Sequence, residues 1–376
     1  MFIILLLCCL IIGLISFGKN WPAAPTAAGS MVMALSIFVS GVWPYMSGQS
    51  VNSLSSRLLV LGTILIWLYL LASYLTSIRR STFYRDHLAD PMRRLAIGSW
   101  ATGTSVLLIN VYYAFGAGWI NETVHIMAVL NVVLWLFYLW SVLNGWRQLA
   151  GQSYRGQLDG SVWLPATATQ SIAWMIHEVF DLADGLWISR ILIAIGMVLY
   201  LIGAWQLWRQ YARRPRTKQT YGRWNATYVM VYGAPAIAAV TASATHAWSA
   251  EHITDAWWVI LALLLLIEGR EAIQAISRIR HTGWRTGIGR YHTAQWTRLF
   301  TLGMFYVLTW YTLPLLQEGS LSLLLHRGVL KAGGWLISIL LLLELTFWLV
   351  ALIRHSGQPL SESETPSSTG MRVRHH

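Results

Sequence analysis

Arg79-Arg80-Ser81-Thr82-Phe83-Tyr84-Arg85-Asp86-His87-Leu88-Ala89-Asp90-Pro91-Met92-Arg93-Arg94 sets five arginines between two apolar runs, 58–78 and 95–115. Working outward, the same arrangement recurs at every second gap between apolar runs. Gaps 147–155, 209–223 and 278–298 and the tail after 353 hold two, six, five and three further basic residues, so these segments contain twenty-one of the twenty-seven Lys and Arg. The gaps between them, near 46–56, 114–122, 180–188 and 247–255, hold none, and the one near 316–331 has only Arg327 and Lys331. Short cytoplasmic loops of membrane proteins carry an excess of Lys and Arg, whereas translocated loops do not. A soluble chain has no reason to alternate in this way, so the pattern predicts an all-α polytopic membrane protein.

Composition agrees: 56% of residues are hydrophobic, only 11% are charged, and 22 are Trp. The formal charge of +12 sits at the ends of apolar runs. It therefore fits anionic lipid headgroups and topology, and no nucleic-acid partner is expected. Cys8 and Cys9 are adjacent, and neighbouring cysteines rarely pair. No Cys/His spacing suggests a metal, no glycine loop suggests a nucleotide, and no cofactor is expected.

A helix needs about 20 apolar residues to cross a bilayer core. Ten such segments stand at 27–46, 58–78, 95–115, 123–143, 162–180, 187–207, 225–246, 255–276, 296–316 and 331–353. With arginines after each even segment, both ends of this ten-helix unit (25–354) face the cytoplasm. Residues 1–24 form an N-terminal hydrophobic segment and linker. Their apolar part, 2–17, lacks a basic start and precedes Pro22 and Pro25, which predicts an extra helix packed outside the ten. The tail 355–376 is polar and is expected to be disordered.

Odd and even segments differ. Segments two, four, eight and ten are dense in Leu, Ile and Trp. The odd ones carry small, polar and helix-breaking residues: Gly98, Thr102, Gly103, Thr104, Ser105 and Asn110 in the third; Pro165, Thr167, Thr169, Gln170 and Ser171 in the fifth; Gly233, Pro235, Thr241 and Ser243 in the seventh; Thr301 and Gly303 in the ninth. Polar residues in a span face protein or a water-filled cavity, and Gly or Pro can bend a helix where it lines one. Five such helices inside five apolar ones would enclose a conduit lined by Thr102, Ser105, Thr169, Gln170, Gly233, Thr241 and Thr301 and kinked at Gly103, Pro165, Pro235 and Gly303. Close packing through small residues accounts for the same pattern equally well.

Other ionisable residues have two readings each. His177 and Glu178, near the outer end of the fifth segment, are either a proton relay or interfacial residues meeting water. Arg298 either faces a lumen or snorkels to lipid headgroups. Glu344, inside a leucine run of the tenth segment, needs a partner in a neighbouring helix or subunit. His125 with Asn131 is the one pair that suggests a membrane enzyme. No catalytic groups visibly converge, so an enzyme is not expected.

Four stretches carry a resemblance to a known family. Trp296-Thr297-Arg298-Leu299-Phe300-Thr301-Leu302-Gly303-Met304-Phe305 resembles the ninth-helix signature of the tellurite-resistance/C4-dicarboxylate transporter family, which includes the slow-type anion channels. Arg85-Asp86-His87-Leu88-Ala89-Asp90-Pro91 leading to Ala101-Thr102-Gly103-Thr104, Trp163-Leu164-Pro165 followed by Ala168-Thr169-Gln170-Ser171, and Gly233-Ala234-Pro235-Ala236-Ile237 are similar to its second loop and third, fifth and seventh helices, in the same order. The resemblance implies five helical hairpins in quasi-fivefold symmetry about a central pore. It also implies passage of small anions or organic acids, a homotrimer in the plasma membrane, and a pore-occluding phenylalanine at Phe300. Thr301 stands where the family usually has Pro; it keeps its backbone N–H, which predicts a less kinked ninth helix. Two functions follow from the resemblance: an anion channel gated by Phe300, or a proton-linked carrier of C4-dicarboxylates such as malate.

Overall fold

The computed structural model describes residues 24–149, 158–180, 182, 185–212, 226–284 and 291–354. The expected extra N-terminal helix (2–17) and the tail from 355 lie outside them. Among the described residues every regular element is helical. In chain order the helices are α1 (Thr26–Ser47), α2 (Leu54–Arg79), α3 (Pro91–Phe115), α4 (Trp119–Leu149), α5 (Leu164–Phe180), α6 (Gly185–Ala212), α7 (Met230–Ala244), α8 (Ala250–Thr282), α9 (Ala294–Thr312) and α10 (Leu321–Arg354). Each coincides with one of the ten apolar segments.

Seven helical spans, namely α1, α2, α3, α4, α6, α7 (extended by the turn at Ala226–Val229) and α10, are long and apolar enough to cross a membrane. The fold is thus compatible with a polytopic helical membrane protein. The other three fall short for different reasons. At 17 residues, α5 spans about 25 Å, less than the roughly 30 Å core, although a 3₁₀ turn at Gly160–Trp163 extends it. Charges crowd both ends of α8, and α9 contains Arg298 and four threonines.

Packing sorts the helices into two layers. α1 packs against α3, α3 against α5, α5 against α7, α7 against α9, and α9 back against α1, closing a ring. The even helices fill the outer seams: α2 between α1 and α3, α4 between α3 and α5, α6 between α5 and α7, α8 between α7 and α9, and α10 against α9 and the last turn of α1. Contacts along the ring rise together from one end. Ser99 of α3 lies beside Gly29 of α1 and Asn110 reaches Ser36 O. Gly98 meets Leu164 of α5, and Tyr113 meets Glu178. Gly160 donates to Thr227 at the start of α7, and Thr241 to Gln170 O. Thr293 O accepts from Ser30, and Gly303 faces Ile37. The ring helices are therefore parallel, with their N-termini at the arginine-rich end.

Close approach explains the glycines of α3 and α9. A Cβ on Gly103 would lie 3.1 Å from Gly29 O, and one on Gly303 would lie 2.7 Å from Ile37 Cγ2. Neither helix breaks there: Gly98–Phe115 and Ala294–Thr312 are uninterrupted. Pro165 occupies the second position of α5, where its missing N–H is harmless, so it starts the helix and does not kink it. Pro235 does lie inside α7. The real interruptions are a π-turn at Phe38–Val42 in α1 and a break at Ile97 in α3.

Candidate functional site

Side chains turn by about 100° per residue along a helix, so the contacts of each ring helix reveal its axis-facing side. On α9, Thr301 meets Gly233 of α7, and Gly303 and Val307 meet Ile37 and Gly41 of α1. Arg298, Phe305 and Thr309 reach Glu268 and Trp257 of α8, and Tyr306 reaches Leu330 of α10. The remaining stripe is Thr297, Phe300, Met304 and Leu308, all buried, with Phe300 0% exposed. It faces the inside of the ring.

The other helices resolve in the same way. On α3, Gly103 and Asn110 face α1, Thr104 accepts from Trp67 of α2 (2.9 Å), and Ser105 accepts from Asn131 of α4 (2.9 Å). That leaves Thr102, Val106 and Tyr113 inward. On α5, Thr169 accepts from Trp135 of α4 (3.1 Å) and donates to Pro165 O (2.8 Å). Gln170 lies against Gly196 of α6 and, with its amide nitrogen turned to the carbonyls, donates to Ala234 O at 2.9 Å. Thr167, Ser171, Trp174 and Glu178 face inward. On α7, Tyr232 and Gly233 face α8 and α9, and Thr241 donates to Gln170 O (3.1 Å), which leaves Met230 and Ile237. Met33 of α1 falls between Gly29 and Ile37.

Of the expected lining residues, Thr102 therefore faces the axis, Thr241 and Gly233 flank it, and Ser105, Thr169, Gln170 and Thr301 are turned to neighbouring helices. Thr167 and Ser171 stood among the polar residues of the fifth segment but not among the expected lining, and Trp174, Met33 and Ile237 were not singled out. The four-residue spacing of Thr167 with Ser171 was the available signal.

Phe300, Met33, Thr102 and Thr167 share one level. Gly103 lies beside Met33, Gly233 beside Thr301, and Gly98 beside Leu164, so these positions are reached together. All four are at most 1% exposed, hence no space for water adjoins them and the axis is shut here. Thr102 Oγ1 is buried without a hydrogen-bond partner. Helical threonines usually bond a carbonyl one turn back, and the unpaired hydroxyl leaves a free donor at the level of Phe300.

Charge is arranged around this level but not at it. Arg298 points outward and pairs with Glu268 of α8 (Nε–Oε2 2.9 Å), neither facing the axis nor extending to lipid headgroups. Glu268 also accepts from Tyr232 (2.8 Å), whose hydroxyl accepts from Thr301 (3.1 Å). At the arginine-rich end five helix N-termini converge, a locally positive field. At the far end Glu178 accepts from Trp174 Nε1 (2.9 Å) and from the Tyr113 hydroxyl. His177 lies beside Gly185 of α6, away from Glu178's partners.

The remaining ionisable residues have local roles. His125 contacts Asn121 O (2.8 Å) and Val179 O (2.9 Å), tying α4 to the end of α5, while Asn131 serves α3. The two do not converge on a site. Glu344, 6% exposed, is packed within the chain beside the Tyr291–His292 loop and needs no second subunit for its burial. Among the described residues no three His, Cys, Asp or Glu converge as metal ligands. Compared with known proteins, the chain matches no family profile, and no curated protein is significantly similar to it.

Proposed function

We propose that this chain is a gated anion channel of the type its motifs resemble, the tellurite-resistance/C4-dicarboxylate transporter family. In this reading all ten helices cross the membrane as five hairpins in quasi-fivefold order, and α1, α3, α5, α7 and α9 surround the permeation path. α5 crosses with the help of its 3₁₀ turn. α8 and α9 cross because their charges lie near the ends or are paired, as Arg298 is with Glu268.

The observation that carries the reading is the fully buried Phe300 ring on the axis-facing stripe of α9, level with the unpaired Thr102 hydroxyl. An aromatic ring across a narrow path makes a hydrophobic constriction that an ion cannot pass without shedding water. Rotating χ1 to another staggered well moves the ring aside, and Thr102 then offers a donor to the dehydrated anion. The five positive helix ends favour anions at the basic mouth. No charge stands at the constriction, so selectivity there follows dehydration cost and width.

Phe300→Ala in reconstituted liposomes is expected to raise chloride efflux by about tenfold or more, which corresponds to a barrier lowered by about 1.4 kcal/mol. Unchanged flux in folded protein overturns the gate. Saturable malate uptake that collapses with the pH gradient would instead establish the carrier. The plasma-membrane homotrimer rests on the family resemblance and the cytoplasmic ends on the arginine pattern; the mass of the detergent-solubilised protein tests the trimer.

A further inference from the structure

The outer end of the ring holds a feature of a different chemical kind, a fixed carboxylate. Glu178 of α5 is gripped through both carboxylate oxygens, by Trp174 Nε1 (2.9 Å) one turn earlier and by the Tyr113 hydroxyl of α3. Tyr311 of α9 stands within electrostatic range of both Glu178 and Tyr113. α9 is not a neighbour of α3 or α5 in the ring: it touches α7 and α1. Tyr311 therefore faces the Tyr113–Glu178 pair from another side of the ring. Tyr311 also continues the inward stripe of Phe300, Met304 and Leu308, just as Tyr113 continues Thr102 and Val106. Three helices thus present Tyr113, Glu178 and Tyr311 on their axis-facing sides about three turns beyond Phe300. Tyr113 is 51% exposed there, so this end opens to the outside.

The charged or titratable groups around the carboxylate are few. On α5 itself His177 is turned to Gly185. From α4, His125 bonds Val179 O, one residue on. Arg57 donates to Ala114 O on the α2 side of α3, away from the axis. Nothing basic grips Glu178 among the described residues; its partners are a phenol and an indole, which orient a carboxylate without neutralising it.

We propose that Glu178 is the outer charge filter of the path. Its carboxylate, held on the axis-facing side of α5 at the outer end, disfavours anions in proportion to their charge and so restricts permeation to monovalent species. The proposal rests on the conduit reading and adds the class of ion that passes. Repulsion between fixed charges scales with their product, so a dianion meets twice the barrier of a monoanion. That makes the site a discriminator between chloride or nitrate and a doubly charged C4-dicarboxylate.

The test uses the full chain in liposomes and measures chloride and succinate flux at neutral pH. To keep the inner constriction from limiting the readout, each Glu178 variant is compared with Phe300→Ala alone. Glu178→Gln keeps an acceptor and a donor for Trp174 and Tyr113, so it is expected to fold, with its elution profile as the check. In the Phe300→Ala background it should raise succinate flux by roughly tenfold and chloride flux by only roughly threefold, the square relation that follows when the barrier doubles with charge. Glu178→Asp, which keeps the charge, should preserve the discrimination. Equal changes for both anions, or no change, overturn the filter while leaving the conduit standing. Failure of Phe300→Ala itself to raise either flux overturns the conduit, and the filter with it.

Discussion

Thr301 illustrates how much a single residue's meaning depends on which way it points. As a hydroxyl in an odd segment it reads as pore lining. In the structure it packs into the notch left by Gly233, donates to Tyr232 and sets the spacing of α7 and α9. A Cβ on Gly233 would lie 2.1 Å from Thr301 Cγ2 and 2.9 Å from its Cβ. Gly233→Ala should therefore destabilise the protein by about 1–3 kcal/mol, the usual cost of overpacking, read as a lowered Tm in detergent. Adding Thr301→Ser, which removes Cγ2 and keeps the hydroxyl, should recover most of the loss. Additive effects of the two changes would show that the contact is not the cause. Thr169 and Gln170 were misplaced by the same reasoning. Their residue types announced burial among protein groups correctly. Direction was illegible, because a ring helix is enclosed on almost every side, so a buried polar residue can face the axis or a neighbouring helix.

At the scale of elements, existence and order were legible, since apolar length and alternating arginines mark helices directly. The contents of the seams were not. Lying beside Arg270 and Glu271 near the cytoplasmic end of the eighth segment, Glu268 has the sequence setting of a surface charge cluster, yet it accepts from Arg298 of α9 and from Tyr232 of α7 and so joins three helices. Its side chain is only 16% exposed. Hydrogen bonds to a charged group contribute roughly 1.5–3 kcal/mol each, so Glu268→Ala should lower stability by about 2–3 kcal/mol and leave Arg298 uncompensated. Glu268→Gln, which keeps an acceptor for Tyr232, should cost less. Thermal unfolding of the two variants in detergent decides this, and equal losses would mean that charge alone holds the seam. The π-turn of α1 and the break at Ile97 of α3 were not read from the sequence.

At the scale of the whole molecule, the arginine pattern fixed which helix ends share a side, but ring closure depends on contacts between helices far apart in sequence, such as Ser30 with Thr293. Two loop histidines at the basic end brace that closure. His87, 1% exposed, bonds Thr26 Oγ1 (2.8 Å) at the start of α1 among the rings of Tyr74, Phe83 and Trp100. Burial, aided by Arg93 and opposed by Asp86, pulls its pKa down from 6.5 to about 4. Burial also lowers His292, whose Nδ1 accepts from Ala294 N–H (3.2 Å) at the start of α9, a bond only the neutral ring can make. Both groups bind protons more readily in the unfolded chain. Their contribution is therefore complete above about pH 6.5 and is lost as pH falls, by up to about 1.4 kcal/mol per pH unit for each histidine. Between pH 7 and pH 5 the Tm in detergent should fall, and His87→Gln, less stable at pH 7, should show a distinctly shallower fall. An unchanged slope in that variant would mean that His87 is protonated in the folded protein as easily as in the unfolded chain, and that the loop at 84–88 does not hold α1 in the ring.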